Sequence, residues 1–194
     1  MIKKKIEFPY KIIEPIDLDL EDLSWTKTEI TEVRHIVRAV IIDQDKLLFV
    51  HVDRDDAFGC VQYIETSGGG VESGESLHSA LRRELKEELG IEVDILSYIG
   101  QVRDYYNLIN RRNITDYFLV RVKRRSENHL TQDEIDKWHL TPIELDLEAA
   151  EKAYKNMVGS KLGLIVSNRE LPVLIKAKEM IDNKIFMGGN VWTI

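Results

Sequence analysis

Residues 67–91 read Ser-Gly-Gly-Gly-Val-Glu-Ser-Gly-Glu-Ser-Leu-His-Ser-Ala-Leu-Arg-Arg-Glu-Leu-Lys-Glu-Glu-Leu-Gly-Ile. After the glycines, a leucine recurs every four residues, which is typical of an amphipathic helix. The leucines are Leu77, Leu81, Leu85 and Leu89. The spacing predicts a helix over residues 76–89, with Ser73 as its N-cap and Glu75 in the first turn. Gly90 is the expected left-handed cap at the C-terminal end.

Two glutamates of this helix occupy positions where apolar residues are expected. At about 100° per residue, Glu88 falls about 20° from Leu77, inside the leucine arc, and Glu84 falls at the edge of that arc. A buried carboxylate is costly unless it pairs with a base or binds a cation. Oxygen ligands favour Mg²⁺ or Mn²⁺, which would also relieve the repulsion between the two glutamates. The alternative is a solvated helix in which Arg83 and Glu87 form an ordinary i,i+4 pair.

The spacing of the charged residues and glycines resembles the Nudix box. That motif is Gly, five residues, Glu, seven residues, then Arg-Glu-apolar-any-Glu-Glu-any-Gly-apolar, and every fixed position matches here. The matching residues are Gly69, Glu75, Arg83, Glu84, Leu85, Glu87, Glu88, Gly90 and Ile91. The resemblance implies an α/β fold, an α/β/α sandwich with a mixed central sheet. The order of the predicted strands and helices also favours such layers.

Nudix hydrolases, the superfamily of mutator-type pyrophosphohydrolases, cleave a nucleoside diphosphate linked to another moiety, by attack of water and with divalent ions. The resemblance therefore implies a magnesium- or manganese-dependent hydrolase of phosphoanhydride bonds. It implies a metal site of Glu84, Glu87 and Glu88, with Glu88 as the principal ligand. It also implies catalytic roles for Glu84, Glu87 and Arg83, the last of which would hold a carboxylate in place, with Glu75 as the expected partner.

Further candidates for the site come from the box glycines and from segments outside the box. For the general base we favour Glu134 in the acidic segment 132–136, where the alternative is a solvated loop carboxylate. Gly69 and Gly70 can bring backbone N–H groups close to phosphates. Tyrosines can stack on a base and arginines can bind phosphate, although each can also be a plain surface residue. On that ground the predicted substrate contacts are Arg103, Tyr105 and Arg111.

Apolar, β-branched segments outside the helix predict strands. They cover residues 36–42, 46–52, 61–66, 91–101 and 114–123. The first two form a predicted hairpin, and residues 102–113 a loop or twisted hairpin. Thr141-Pro142 predicts the start of a helix that runs to about Met157. A connection over residues 159–168 and a last helix over 170–183 follow.

These elements predict one main domain. We assign residues 36–194 to a Nudix domain with C-terminal helices, and residues 1–35 to an N-terminal extension that packs on it.

The bulk composition narrows the classes of partner. A net charge of −7 argues against a general nucleic-acid binder, so no large nucleic acid is expected, and a small nucleotide is the expected partner. The sequence contains no apolar run long enough to span a membrane and no secretory signal at its start. Cys60 is the single cysteine, which fits a reducing cytoplasm. A homodimer is compatible with general principles of symmetry.

Two alternatives keep this fold but change the function. An isoprenoid-diphosphate isomerase needs a reactive cysteine, and although Cys60 precedes the box, its surroundings do not match. A non-catalytic nucleotide-sensing module tends to lose box carboxylates, whereas all of them are present here. Among Nudix hydrolases, members that act on ADP-ribose carry a proline some fifteen residues past the box. Residues 102–112 contain no proline, which counts against ADP-ribose as a substrate. The same segment gives no positive support for oxidised nucleoside triphosphates.

Overall fold

A computed structural model describes residues 13–130 and 135–183, which form a mixed eight-stranded sheet and three α-helices. The strands are β1 (Ile16–Leu20), β2 (Glu32–Asp43), β3 (Lys46–Asp56), β4 (Gly59–Glu65), β5 (Ser67–Gly70), β6 (Ile91–Tyr106), β7 (Arg111–Arg125) and β8 (Thr141–Leu145). The helices are α1 (Leu77–Leu89), α2 (Leu147–Asn156) and α3 (Lys161–Asp182), with 3₁₀ turns at Asn107–Ile109 and Met157–Gly159.

The sheet order is β1-β6-β7-β2-β3-β4, with β5 paired to β2 and β8 paired to β3. Strands β1 and β6 are parallel, as are β2 and β7, and the other pairs are antiparallel. Alternate residues of β2 face opposite sides of the sheet. Val37 and Ala39 pack in the same core as the leucines of α1, and Val40 packs in the core shared with α2 and α3. This is the predicted α/β/α sandwich around a mixed sheet.

Helix α1 has the predicted extent and C-cap, but its N-cap is Ser76 and the prediction of Ser73 was wrong. Ser76 has the extended backbone that a cap requires, and its hydroxyl accepts a hydrogen bond from the N–H of Ser79 at 3.2 Å. Gly90 has a φ of 63°, and a Cβ atom there would lie 2.3 Å from the carbonyl oxygen of Ser126. Only glycine satisfies both conditions at this position.

The prediction that a helix starts at Thr141-Pro142 was also wrong, because this segment is strand β8. It pairs antiparallel with β3 and with no other described strand. A strand with one partner tolerates proline, which has no N–H to donate. The cap of α2 is instead Asp146, whose carboxylate accepts a hydrogen bond from the N–H of Ala149 at 2.7 Å.

The predicted connection over residues 159–168 is mostly helix, because α3 begins at Lys161. Ser160 caps it by accepting a hydrogen bond from the N–H of Gly163 at 2.9 Å. The Gly and Ser residues favoured a loop, but Leu162 and Val166 pack into the core at helical spacing. Tertiary packing therefore outweighs local propensity in this segment.

Two segments of weak sequence signal complete the sheet. Residues 102–113 form the end of a long β6–β7 hairpin, closed by a 3₁₀ turn in which Asn110 has a φ of 55°. Strand β1 pairs with Gly100–Asp104 of β6, and β2 begins at Glu32. Among the helices of the described residues, none combines the length and the apolar character needed to cross a membrane.

Candidate functional site

A cavity of about 590 Å³ lies between α1, the β5 glycines and α3. Its walls differ in chemistry. The α1 wall carries the three glutamates predicted to bind metal, Glu84, Glu87 and Glu88. The opposite wall carries arginines and aromatic rings from the sheet and from α3. The segment Gly68–Gly70 runs between the two walls and lines the cavity.

Glu88 is the deepest carboxylate of the α1 wall, with 7% of the residue exposed. One oxygen, Oε2, accepts hydrogen bonds from the Ser67 hydroxyl and from the N–H of Gly68, the latter at 3.0 Å. The other oxygen, Oε1, accepts no hydrogen bond from any described residue. Burial raises the pKa of Glu88 to about 8. A cation at the cavity surface would offset this cost and keep the carboxylate ionised.

Arg83 organises the remaining box carboxylates. Its Nη2 lies 2.9 Å from Oε2 of Glu75, so the expected pair is present. Its Nη1 contacts carboxylate oxygens of Glu84 at 2.8 Å and Glu87 at 3.3 Å. Nη2 also donates to the carbonyl oxygen of Gly70 at 2.9 Å. The hydrogen bond to Glu75 is the largest cause that raises the pKa of Arg83 and lowers that of Glu75. One arginine thus ties the start of the box loop to the helix.

The glutamates of α1 suit a divalent cation in their chemistry. In the described part of the chain, no three Asp, Glu, His or Cys side chains are gathered into a ready metal site. Here Arg83 engages Glu84 and Glu87, while Glu88 turns toward β5. Glu84 lies against the glycines, since a Cβ at Gly69 would lie 2.5 Å from its Oε2. The fit rests on oxygen donors alone, and one of them, Glu88, is desolvated and has an oxygen that accepts no hydrogen bond from the described part of the chain.

A buried ion network occupies the opposite wall. Arg169 of α3, 2% exposed, contacts Glu65 at 2.8 Å and Glu170 at 2.9 Å and donates to the Tyr106 hydroxyl at 2.7 Å. Arg38 of β2 also contacts Glu65, at 3.0 Å. Burial acts to raise the pKa of Glu65, but Arg38 and Arg169 outweigh it and leave that pKa below its usual value. This network fixes the position of α3 against the sheet.

Aromatic rings line the same side of the cavity. Phe58 meets Trp25 and Tyr106 edge to face, with ring centroids 5.5 Å and 6.0 Å apart. The Arg54 guanidinium lies 5.1 Å from the centre of the Phe58 ring. Trp138 packs against the core and lines the cavity as well. Such a surface can hold a planar group.

A family model described as the NUDIX domain matches residues 33–158. The chain belongs to this family. Nudix domains generally use divalent cations. A curated relative, the oxidized purine nucleoside triphosphate hydrolase of Danio rerio, is 34% identical to the chain over 68 residues. That match covers 35% of this chain and 42% of the relative, so the chain spans less than half the length of the relative.

Solved structures share the fold of this Nudix domain at low sequence identity. A NUDIX hydrolase from Nitrosomonas europaea is 16% identical with a TM-score of 0.58, covering 84% of this chain and 97% of its own. The ORF135 protein of E. coli, known from a solution structure, is 22% identical with a TM-score of 0.54, covering 77% of this chain and 91% of its own. These likenesses support the sandwich architecture.

The substrate contacts predicted for this Nudix domain divide between the cavity and the opposite sheet face. Gly69, Gly70 and Arg111 line the cavity, and Arg111 pairs with Glu32 at 3.0 Å. The predicted base Glu134 lies outside the described residues.

Arg103 and Tyr105 do not line the cavity. Arg103 pairs with Asp17 of β1 at 2.5 Å, and the Tyr105 ring lies 5.3 Å from the Arg112 guanidinium. Side chains alternate along β6, so Tyr106 faces the cavity and its neighbour does not.

The basic side of the cavity was not predicted, although the sequence of β2 indicates it. Arg34, Ile36 and Arg38 alternate along β2 and all line the cavity. Arg38 lies within the apolar run of a central strand, as Glu88 lies within the apolar arc of α1. A charge on a core face indicates either a buried pair or a ligand. Arg169 and Glu65 gave no local signal, because they meet only through tertiary contact.

Proposed function

We propose that the protein hydrolyses a phosphoanhydride bond in a nucleoside diphosphate linked to another moiety, with Mg²⁺ or Mn²⁺ as cofactor. One observation carries this proposal. The three glutamates of α1, Glu84, Glu87 and Glu88, line a cavity of about 590 Å³, and Glu88 is buried there with one oxygen free of hydrogen bonds from described residues. Membership of the Nudix family supports the reaction type.

The residues of the site have different roles in this proposal. Glu84, Glu87 and Glu88 would hold the divalent cation, which when bound neutralises phosphate charge and lowers the pKa of water. Arg83 positions the Glu84 and Glu87 carboxylates through its contacts at 2.8 and 3.3 Å. Glu134 stays a prediction for the general base.

The size and lining of the cavity support a nucleotide as the substrate. Phe58, Tyr106 and Trp138 present rings to a planar group, and the arginines favour phosphate. The printed name of the Danio rerio relative describes the hydrolysis of oxidized purine nucleoside triphosphates. That relation is partial, so we include such triphosphates as one class among several in the test.

The test is a panel of nucleotides incubated with the full chain. It contains nucleoside diphosphates linked to sugars, dinucleoside polyphosphates and nucleoside triphosphates, ordinary and oxidised. We expect release of a nucleoside monophosphate in Mg²⁺ or Mn²⁺ and none in EDTA, measured by chromatography and by phosphate assay after a phosphatase step. Nucleotide binding without turnover of any member would support the sensing module instead.

The single cysteine bears on the isomerase alternative and on the compartment of the reaction. Cys60 is exposed and does not line the cavity, so the structure offers no support for an isomerase that needs a reactive cysteine there. A single free cysteine suits a reducing compartment, and we place the reaction in the cytoplasm. Conversion of isopentenyl diphosphate to its isomer would overturn the first expectation.

A further inference from the structure

Five of the six arginines that line the cavity are paired with carboxylates of the described chain. The pairs are Arg38–Glu65, Arg54–Asp56, Arg83–Glu75, Arg111–Glu32 and Arg169–Glu65. Arg34 is the exception, since its guanidinium forms no ion pair and no hydrogen bond with any described residue, although it lines the cavity. Among the described residues no carboxylate forms an ion pair with Arg34, and the charges of Glu84 and Glu32 act on it only at longer range.

The surroundings of Arg34 add to this excess of positive charge. Burial, followed by the charges of Arg111 and Arg38, lowers the pKa of Arg34, and the charges of Glu84 and Glu32 offset this effect only in part. The guanidinium lies beside β5, where a Cβ atom at Gly70 would be 3.2 Å from its Nη2. The absence of a side chain at Gly70 leaves the space that the guanidinium occupies. An anion bound there would relieve the repulsion among the three arginines.

A second unpartnered group lies next to Arg34. Asn113 of β7 is aligned with Arg34 in the parallel β2–β7 pair, and it lines the same cavity. Only 7% of Asn113 is exposed, and its Oδ1 is buried without a hydrogen-bond partner. Its side-chain nitrogen also donates to no described residue. Buried amide oxygens are normally hydrogen-bonded, so the unpartnered Oδ1 of Asn113 beside a cavity indicates a ligand.

This pair of side chains is separated from the metal-binding glutamates by strand β5. Side chains alternate along a strand, so Gly69 and Gly70 face opposite sides. The Gly69 side meets the Glu84 carboxylate, and the Gly70 side meets the Arg34 guanidinium. A substrate that reaches both would pass the end of β5.

We propose that Arg34 and Asn113 form a phosphate-binding subsite that holds one phosphate group of the substrate without a metal ion. The guanidinium donates to phosphate oxygens and supplies the opposite charge. The Asn113 nitrogen donates a further hydrogen bond, and its oxygen can accept one from a hydroxyl of the attached sugar. This inference rests on the proposed function, because it assumes that the cavity takes a nucleotide. Both residues bind and orient, and neither takes part in bond cleavage.

The test measures binding by the full chain in EDTA, which removes the contribution of divalent ions. The probes are inorganic pyrophosphate, adenosine 5′-monophosphate and adenosine, titrated by calorimetry. We expect Arg34→Ala to weaken binding of both phosphate probes by about 10- to 100-fold, as the loss of charge-assisted hydrogen bonds does, and to leave adenosine unaffected. Arg34→Lys should recover part of the loss, and Asn113→Ser should weaken the same probes to a smaller extent.

The matched control is Arg112→Ala. Arg112 precedes Asn113 in β7, and its side chain contacts Asp19 and Tyr105 outside the cavity. It should bind all three probes as the wild type does. The proposal is overturned if Arg34→Ala binds pyrophosphate normally, if the control loses as much, or if the wild type binds no phosphate probe in EDTA. Loss of adenosine binding in Arg34→Ala would also overturn it, in favour of base recognition. Hydrolysis of the substrate panel by the wild type in Mg²⁺ would still uphold the proposed function in each case.

Discussion

The two helices that flank the cavity each present an arginine to several carboxylates, in opposite environments. On α1, Arg83 is 25% exposed, holds Glu84 and Glu87 at the cavity surface and pairs with Glu75 of the box loop. On α3, Arg169 is 2% exposed and pairs with Glu65 and Glu170 inside the protein. The surface arrangement keeps its carboxylates within reach of a ligand. The buried arrangement pairs its charges with one another, so we expect it to serve stability.

The largest expected effect comes from the buried side of this comparison. Arg169→Met should lower the free energy of unfolding by about 3–5 kcal/mol, because it leaves Glu170 buried without its cation and removes one of the two arginines that pair with Glu65. Urea unfolding monitored by circular dichroism measures this loss. The control is Lys178→Met on the same helix, whose exposed pair with Asp182 should contribute at most about 1 kcal/mol. Equal losses in both variants would show that Arg169 has no special structural role.

The next largest effect is expected for Glu88 on the α1 wall, where a substitution should lower activity without lowering stability. Glu88→Gln should lower kcat by at least about 100-fold. Mutation of a residue that only supports a metal ligand costs up to about 100-fold, and Glu88 is proposed as a ligand itself. The free energy of unfolding should not fall at pH 7. Burial raises the pKa of Glu88 to about 8, above its unfolded value, so the ionised carboxylate costs stability above that unfolded value. A neutral amide removes this cost.

Activity and urea unfolding, measured on the same preparation, check both parts of this prediction. Glu92→Gln is the control, since this exposed carboxylate pairs with Arg124 and does not line the cavity. It should change neither quantity. An active Glu88→Gln enzyme would refute the assignment of Glu88 as the principal ligand, whatever happened to its stability.

A smaller effect is expected when Arg83 is replaced by lysine, which keeps the positive charge but lacks the planar guanidinium group. Arg83→Lys cannot contact Glu75, Glu84 and Gly70 together, so the carboxylates lose their alignment. We expect kcat to fall by about 10- to 100-fold with KM changed little. The neighbouring Arg82→Lys, which donates to the carbonyl oxygen of Val93, is the control and should retain activity. A rise in KM alone would indicate that Arg83 contacts substrate directly.

The features that sequence predicted well are those set by local spacing. The hairpin around Gln44, the leucine stripe of α1, its cap at Gly90 and the Arg83–Glu75 pair all involve residues close in the chain. The features that were missed depend on distant partners. Strand β8 exists because β3 offers it an edge, and Arg169 reaches Glu65 across 104 positions of sequence. Tyr105 was predicted to contact substrate, but Tyr106 is the residue that lines the cavity, because composition does not reveal which face of β6 meets it.

The smallest effect concerns the N-cap of α1, which was predicted at Ser73 and lies at Ser76. Ser76→Ala should lower the free energy of unfolding by about 1 kcal/mol, since it removes the acceptor for the N–H of Ser79. Ser73→Ala should cost less than about 0.5 kcal/mol, because Ser73 precedes a turn at Gly74 and caps no helix. Thermal and urea unfolding of both variants give the comparison. Were Ser73→Ala the more damaging of the two, α1 would begin one turn earlier, and Glu75 would belong to the helix rather than to the loop that Arg83 holds.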